Sequence, residues 1–119
     1  MEYDLRLLDL EDGRCPFERW LKDVRNNETA LRISRRIVRI HGGNLGDCKL
    51  LAEGVYELRL DFGPGYRVYF AFADRLLVVL LLGGDKSTQS KDISDSKRLW
   101  QENKNDSERY RRRFRLPTP

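Results

Sequence analysis

Two alternating runs, residues 54–60 and 66–72, flank the turn-forming segment Asp61-Phe62-Gly63-Pro64-Gly65 and confine this part of the chain to a β-hairpin. Side chains alternate across a strand, so Tyr56, Leu58 and Leu60 share an apolar face with Tyr66, Val68, Phe70 and Phe72. The opposite face carries Glu57, Arg59, Arg67 and Tyr69, within reach of one another if the register pairs them. Two arginines aimed from adjacent strands are more than a solvated face needs, although cross-strand Glu–Arg pairing alone also accounts for them.

The remaining elements are read outward from this hairpin. Residues 3–9 alternate as a first strand, ended by Glu11-Asp12-Gly13. Pro16 opens a helix whose Phe17, Trp20, Leu21 and Val24 fall at i, i+3, i+4 and i+7. Asn26-Asn27 ends it and caps a second helix, in which Ala30, Ile33, Ile37 and Ile40 face inward and Arg32, Arg35, Arg36 and Arg39 form the outer stripe, up to a stop at Gly42-Gly43. That stripe suits a phosphate rail, an acidic protein partner or plain solvation. Residues 41–49 read as a glycine-rich loop whose Asp47 and Lys49 could overhang the charged hairpin face. Residues 76–82 are apolar on both sides and read as an interior strand; residues 83–90 form a polar loop, and residues 91–103 a third helix capped by Thr88 or Ser90, with Ile93, Leu99 and Trp100 as anchors.

The expected architecture is α+β: a four-stranded, antiparallel-rich sheet in the order β-α-α-β-β-β-α, with the two N-terminal helices on one face and the charged hairpin face open. The chain of 119 residues is expected to form one domain over residues 1–104. Residues 105–119 hold five arginines against two acidic side chains and lack apolar periodicity, so a basic, disordered tail is expected there, or at most a helix over 108–114. The net charge of +4 is uneven: residues 1–30 carry −3, residues 31–104 +4 and the tail +3, so an anionic ligand belongs in the middle and C-terminal parts. Cys15, Cys48 and the single His41 give neither a disulfide framework nor a metal-ligand pattern, so no metal and no cofactor are expected. The N-terminus lacks the pattern of a signal peptide and no apolar run approaches the roughly 20 residues of a membrane span, so a cytoplasmic protein with no membrane partner is expected.

The element order, together with Gly13-Arg14, Pro16-Phe17, Trp20-Leu21, Gly43-Asn44, Gly46-Asp47-Cys48-Lys49, residues 54–59, residues 62–69, Gly83-Gly84-Asp85-Lys86, Gln89 and Lys91-Asp92-Ile93, resembles the RelE/ParE superfamily of toxins from toxin–antitoxin modules. The resemblance is closest to the phage Gp49-like or HigB-like "addiction module killer proteins", and it covers residues 3–100. It implies a RelE-like fold and a ribosome-dependent mRNA endonuclease in which the 2′-hydroxyl attacks the adjacent phosphate without a metal. Ribosome and mRNA would be its targets, and a small helix-turn-helix antitoxin its partner. Under the resemblance Arg67 matches the phosphate-stabilising arginine, Lys86 a second catalytic cation and Arg59 a catalytic-strand lysine. Glu57 stands where RelE has another lysine, and Asp92 where RelE has an aromatic residue. Glu57 and Asp92, kept with Gln89 in this branch's pattern, imply either a carboxylate base or a network that holds the cations. Lys49, Tyr69 and Gln89 are the expected RNA contacts. A ParE-like poison of DNA gyrase, or an inactive member that only binds its antitoxin, would share the fold.

Overall fold

The computed structural model describes residues 2–43 and 45–116; Met1, Asn44 of the expected loop and residues 117–119 of the expected tail lie outside them. Five strands and three helices follow in order: β1 (Asp4–Leu7), α1 (Pro16–Asp23), α2 (Asn27–His41), β2 (Cys48–Ala52), β3 (Val55–Arg59), β4 (Arg67–Asp74), β5 (Leu77–Gly84) and α3 (Gln89–Asn103), with 3₁₀ turns at Lys86–Thr88 and Ser107–Tyr110. The sheet order is β1-β5-β4-β3-β2, β1 lying parallel to β5 and every other pair antiparallel.

The expected hairpin is β3–β4, with Glu57 opposite Tyr69 and Arg59 opposite Arg67. The sheet has five strands rather than four, because Cys48–Ala52, which begins inside the expected loop, pairs with β3. Its side chains hide this role: on an edge strand Leu50 is 56% exposed, and a register shift between Leu50 and Ala52 breaks the alternation. The tight connection to β3 places Glu53 at φ 54° and Gly54 at φ 81°, the left-handed pair that a two-residue hairpin turn requires.

Both helical starts follow their local chemistry. Pro16 occupies the first turn of α1, where its missing N–H costs nothing, and Asn26 caps α2 by accepting from Glu28 N at 2.8 Å and Thr29 N at 3.2 Å. Phe17 of α1 and Ile33, Ile37 and Ile40 of α2 pack against Leu58, Val68, Phe70, Val78 and Leu80 on one face of the sheet. Phe17 has no exposed surface, worth about 1.5–3 kcal/mol of burial.

The other face is not open. α3 covers most of it, and Trp100 and Tyr110 pack with Leu8, Val55, Tyr69, Ala71, Val79 and Leu81 into a second core. The buried positions of α3 are Asp92, Ser96 and Trp100, four residues apart, so two polar residues occupy the stripe that hydrophobic patterning looks for.

Residues 107–116, expected to be a free tail, are laid along the outer edge of β1. Leu7 N donates to Arg112 O at 2.8 Å, Asp9 N to Arg109 O at 2.7 Å and Phe114 N to Leu5 O at 2.9 Å. The Tyr110 ring meets Trp100 at 5.8 Å, Phe114 meets Phe17 at 5.9 Å, and Arg112 forks onto Asp9 (2.7 Å) and Glu18 (2.8 Å). Tyr110 joins the core under α3 and Phe114 the core under α1 and α2, so neither helical nor strand periodicity groups these anchors.

Candidate active site

Placing Arg59 and Arg67 directly opposite each other on β3 and β4 sets two cations side by side, which is unfavourable without a counter-charge. Glu57 supplies it from one step back along β3. Its side chain is 1% exposed; Oε1 accepts from Arg59 Nε at 2.9 Å, and Oε2 lies 3.8 Å from Arg67 Nε. Gln89, the first residue of α3, donates to the same Oε2 at 2.8 Å. Burial alone would raise the Glu57 pKa, but the Gln89 and Arg59 hydrogen bonds and the charges of Arg59 and Arg67 outweigh it and leave it below the ordinary carboxylate value. Glu57 is thus a buried anion with both oxygens engaged.

The two arginines differ in exposure, 43% for the Arg59 side chain and 11% for Arg67. Arg67 folds back so that Nη1 donates to Gly65 O at 2.5 Å. Gly65 has φ +80°, and a Cβ there would stand 2.9 Å from Arg67 Nη1, so the glycine permits both the turn and the approach of the guanidinium. Lys86 opens the 3₁₀ turn after β5, fixed by Asp85, which accepts from Ser87 N at 2.8 Å. Arg59, Arg67 and Lys86 come together as walls of one cleft of about 360 Å³, joined by Asp47, Asp61 and Phe62. Asp47 is held there by its backbone oxygen, which accepts from Arg59 N at 3.0 Å.

The other expected site residues are placed differently. Tyr69 has no exposed surface, so it offers no ring to a base, and its hydroxyl has no hydrogen-bond partner among the described residues. Burial and the charges of Glu57 and Asp92 push its pKa up and keep it protonated. Asp92 lies on a neighbouring cleft of about 460 Å³ beside Trp20 and Arg19, not on the three-cation cleft. Its Oδ2 accepts from Thr88 Oγ1 at 2.5 Å and presses on Gly84, where a Cβ would sit 1.8 Å away. Burial holds the Asp92 pKa above its ordinary value in spite of the Thr88 hydrogen bond. Gln89 serves Glu57, while Lys49, the cross-strand neighbour of Glu57 on β2, is exposed and makes no ion pair among the described residues. Sequence reasoning passed over Asp61 and Phe62; the signal was their position two and three residues after Arg59, at the end of the hairpin where the cations gather.

Fold and site together define a small α+β protein with a three-cation cleft at one end of a five-stranded sheet. The chain belongs to the family described as "Phage derived protein Gp49-like (DUF891)", whose model matches residues 22–103, from the last turn of α1 to the end of α3. It is 49% identical over 86 residues to an uncharacterized protein of Haemophilus influenzae, covering 72% of this chain and 87% of the relative. No solved structure matches. No helix among the described residues is long and apolar enough to cross a membrane.

Proposed function

We propose that the protein is the toxin of a type II toxin–antitoxin module, a HigB-like member of the RelE/ParE superfamily, and that it cleaves mRNA on the ribosome in the cytoplasm. The observation that carries this reading is the convergence of Arg59, Arg67 and Lys86 on one open cleft, with Glu57 buried behind them as a fixed counter-charge.

In the proposed reaction the 2′-oxygen bonds to the adjacent phosphorus as the bond from phosphorus to the 5′-oxygen breaks. The products are a 2′,3′-cyclic phosphate and a 5′-hydroxyl. The 2′ proton passes to a base and the 5′-oxygen gains a proton, so the atoms balance without a metal. Charge builds on the phosphate oxygens, and cations already held in place stabilise it without reorganising. Arg67 is the most buried of the three cations, with Nη1 bonded to Gly65 O and Nε 3.8 Å from the Glu57 carboxylate. Glu57 acts as a positioning residue: with both oxygens engaged and its pKa lowered, it is a poor proton acceptor. Asp47 and Asp61, on the cleft wall, are the carboxylates within reach of a bound strand. A helix-turn-helix antitoxin is the partner this reading requires.

The test is mRNA cleavage on programmed ribosomes. Arg67→Ala is expected to slow cleavage by about 10²–10³, the loss of roughly 2.7–4 kcal/mol of transition-state stabilisation. Arg67→Lys keeps the charge but loses the planar fork, and should fall between the two. If folded Arg67→Ala cleaves as fast as the parent, or if the parent leaves mRNA intact and instead blocks DNA gyrase, the reading is wrong.

A further inference from the structure

Beside the three-cation cleft lies a second one of about 490 Å³ whose wall is the outer stripe of α2: Arg32, Arg35, Arg36 and Arg39, with Arg59 from β3 completing it. The two clefts share Arg59, Asp61 and Phe62, so they form one continuous groove. Resting on the nuclease reading above, we infer that this groove holds the phosphodiester backbone of the RNA strand flanking the cleaved bond, with the α2 arginines as its phosphate contacts.

Charge supports this first. Five guanidiniums face the second cleft against the carboxylates of Asp47 and Asp61, and among the described residues none of the four α2 arginines is in a salt bridge. Arg36 is set deepest. A Cβ on Gly46 would stand 1.5 Å from its Nη2, and its Nη1 is buried without a hydrogen-bond partner among the described residues. A buried guanidinium N–H left unpaired is costly, and an anion entering the cleft satisfies it.

Geometry then separates RNA from an acidic peptide. A strand whose phosphate sits between Arg59 and Arg67 runs straight into the arginine cleft, because Arg59 belongs to both. At the junction the Arg32 guanidinium lies 3.9 Å over the Phe62 ring. A cation on an aromatic face is the kind of platform on which unpaired bases stack, and a peptide carboxylate has no use for it. Asp47 and Asp61 at the same junction repel phosphate locally but can accept from base amino groups or a 2′-hydroxyl.

The test uses the full chain and a fluorescent 2′-O-methyl oligoribonucleotide, which cannot be cleaved, titrated by anisotropy over a range of KCl concentrations. Arg35 and Arg39 are exposed, so the double variant Arg35→Ala/Arg39→Ala should fold as the parent does, checked by thermal unfolding. It should bind about tenfold more weakly at low salt, with the slope of log K against log[salt] smaller by about 1.4, two single-strand phosphate contacts at about 0.7 each. The Arg35→Lys/Arg39→Lys variant should keep the parent's slope. An unchanged affinity and slope in the alanine variant, no binding by the parent, or a loss confined to binding of a poly-glutamate peptide each overturns the inference. Cleavage on programmed ribosomes, run with the same proteins, keeps the two readings apart. A parent that cleaves while the double variant's slope is unaltered refutes the groove alone, whereas a parent that binds through these arginines yet never cleaves refutes the nuclease.

Discussion

Glu57 on β3 and Asp92 on the inner face of α3 are both buried carboxylates, and their surroundings push them in opposite directions. Glu57 has its pKa lowered from 4.5: the folded state prefers the anion, so its contribution to stability is present above about pH 4.5 and is lost as pH falls through the folded value. Asp92 has its pKa raised from 3.8: the folded state prefers the neutral acid, so its contribution is present below about pH 3.8 and is lost as pH rises through the folded value. At neutral pH Glu57→Gln should therefore destabilise by about 1–3 kcal/mol, because Arg67 and Gln89 lose their anion. Asp92→Asn should be at least as stable as the parent. Thermal unfolding at pH 7 and pH 3.5 checks both, and each difference should shrink at the lower pH. The pairing of Glu57, Arg59 and Arg67 was legible in the alternation of β3 and β4. The depth of Glu57 was not, because it is imposed by α3, whose stripe of Asp92 and Ser96 carries no apolar signal.

Among the elements, the hairpin β3–β4, both N-terminal helices and β5 were legible because each has one apolar face or an unbroken apolar run. β2 escaped because an edge strand with an exposed Leu50 and an irregular register lacks a periodic face. Residues 107–116 escaped because their two anchors serve different cores, so the local pattern reads as charge alone. The energetics should follow those anchors rather than the arginines. Tyr110 is buried against Trp100, and its hydroxyl donates to Lys104 O at 2.9 Å, so Tyr110→Ala should cost roughly 3 kcal/mol, the low end for truncating a buried aromatic ring. Arg112→Ala, which removes ion pairs that are partly open to solvent, should cost about 1 kcal/mol or less despite their short distances. Urea unfolding of the two variants decides the ranking; an Arg112 loss larger than the Tyr110 loss would show that charge holds this segment.

At the scale of the whole molecule, the segment matched by the family, residues 22–103, contains β2 to β5, α2, α3 and all three cleft cations, while β1 and residues 107–116 lie outside it and pair with each other. The site and the structure that seals its sheet are thus carried by different parts of the chain. A protein lacking residues 107–119 should keep Arg59, Arg67 and Lys86 in register but unfold at a lower temperature and self-associate, since β1 would present an unpaired edge; sedimentation and calorimetry of the shortened chain test this. The same pairing sets an order on synthesis. β1 is made before either of its partners, for its inner partner β5 begins at Leu77 and its outer partner ends with Phe114, so the strand is finished long after it is translated. At about 5–20 residues per second β1 waits several seconds on the ribosome with both edges bare. A message cut before the Tyr110 codon therefore encodes a chain whose site is in register but whose β1 keeps an open, sticky edge.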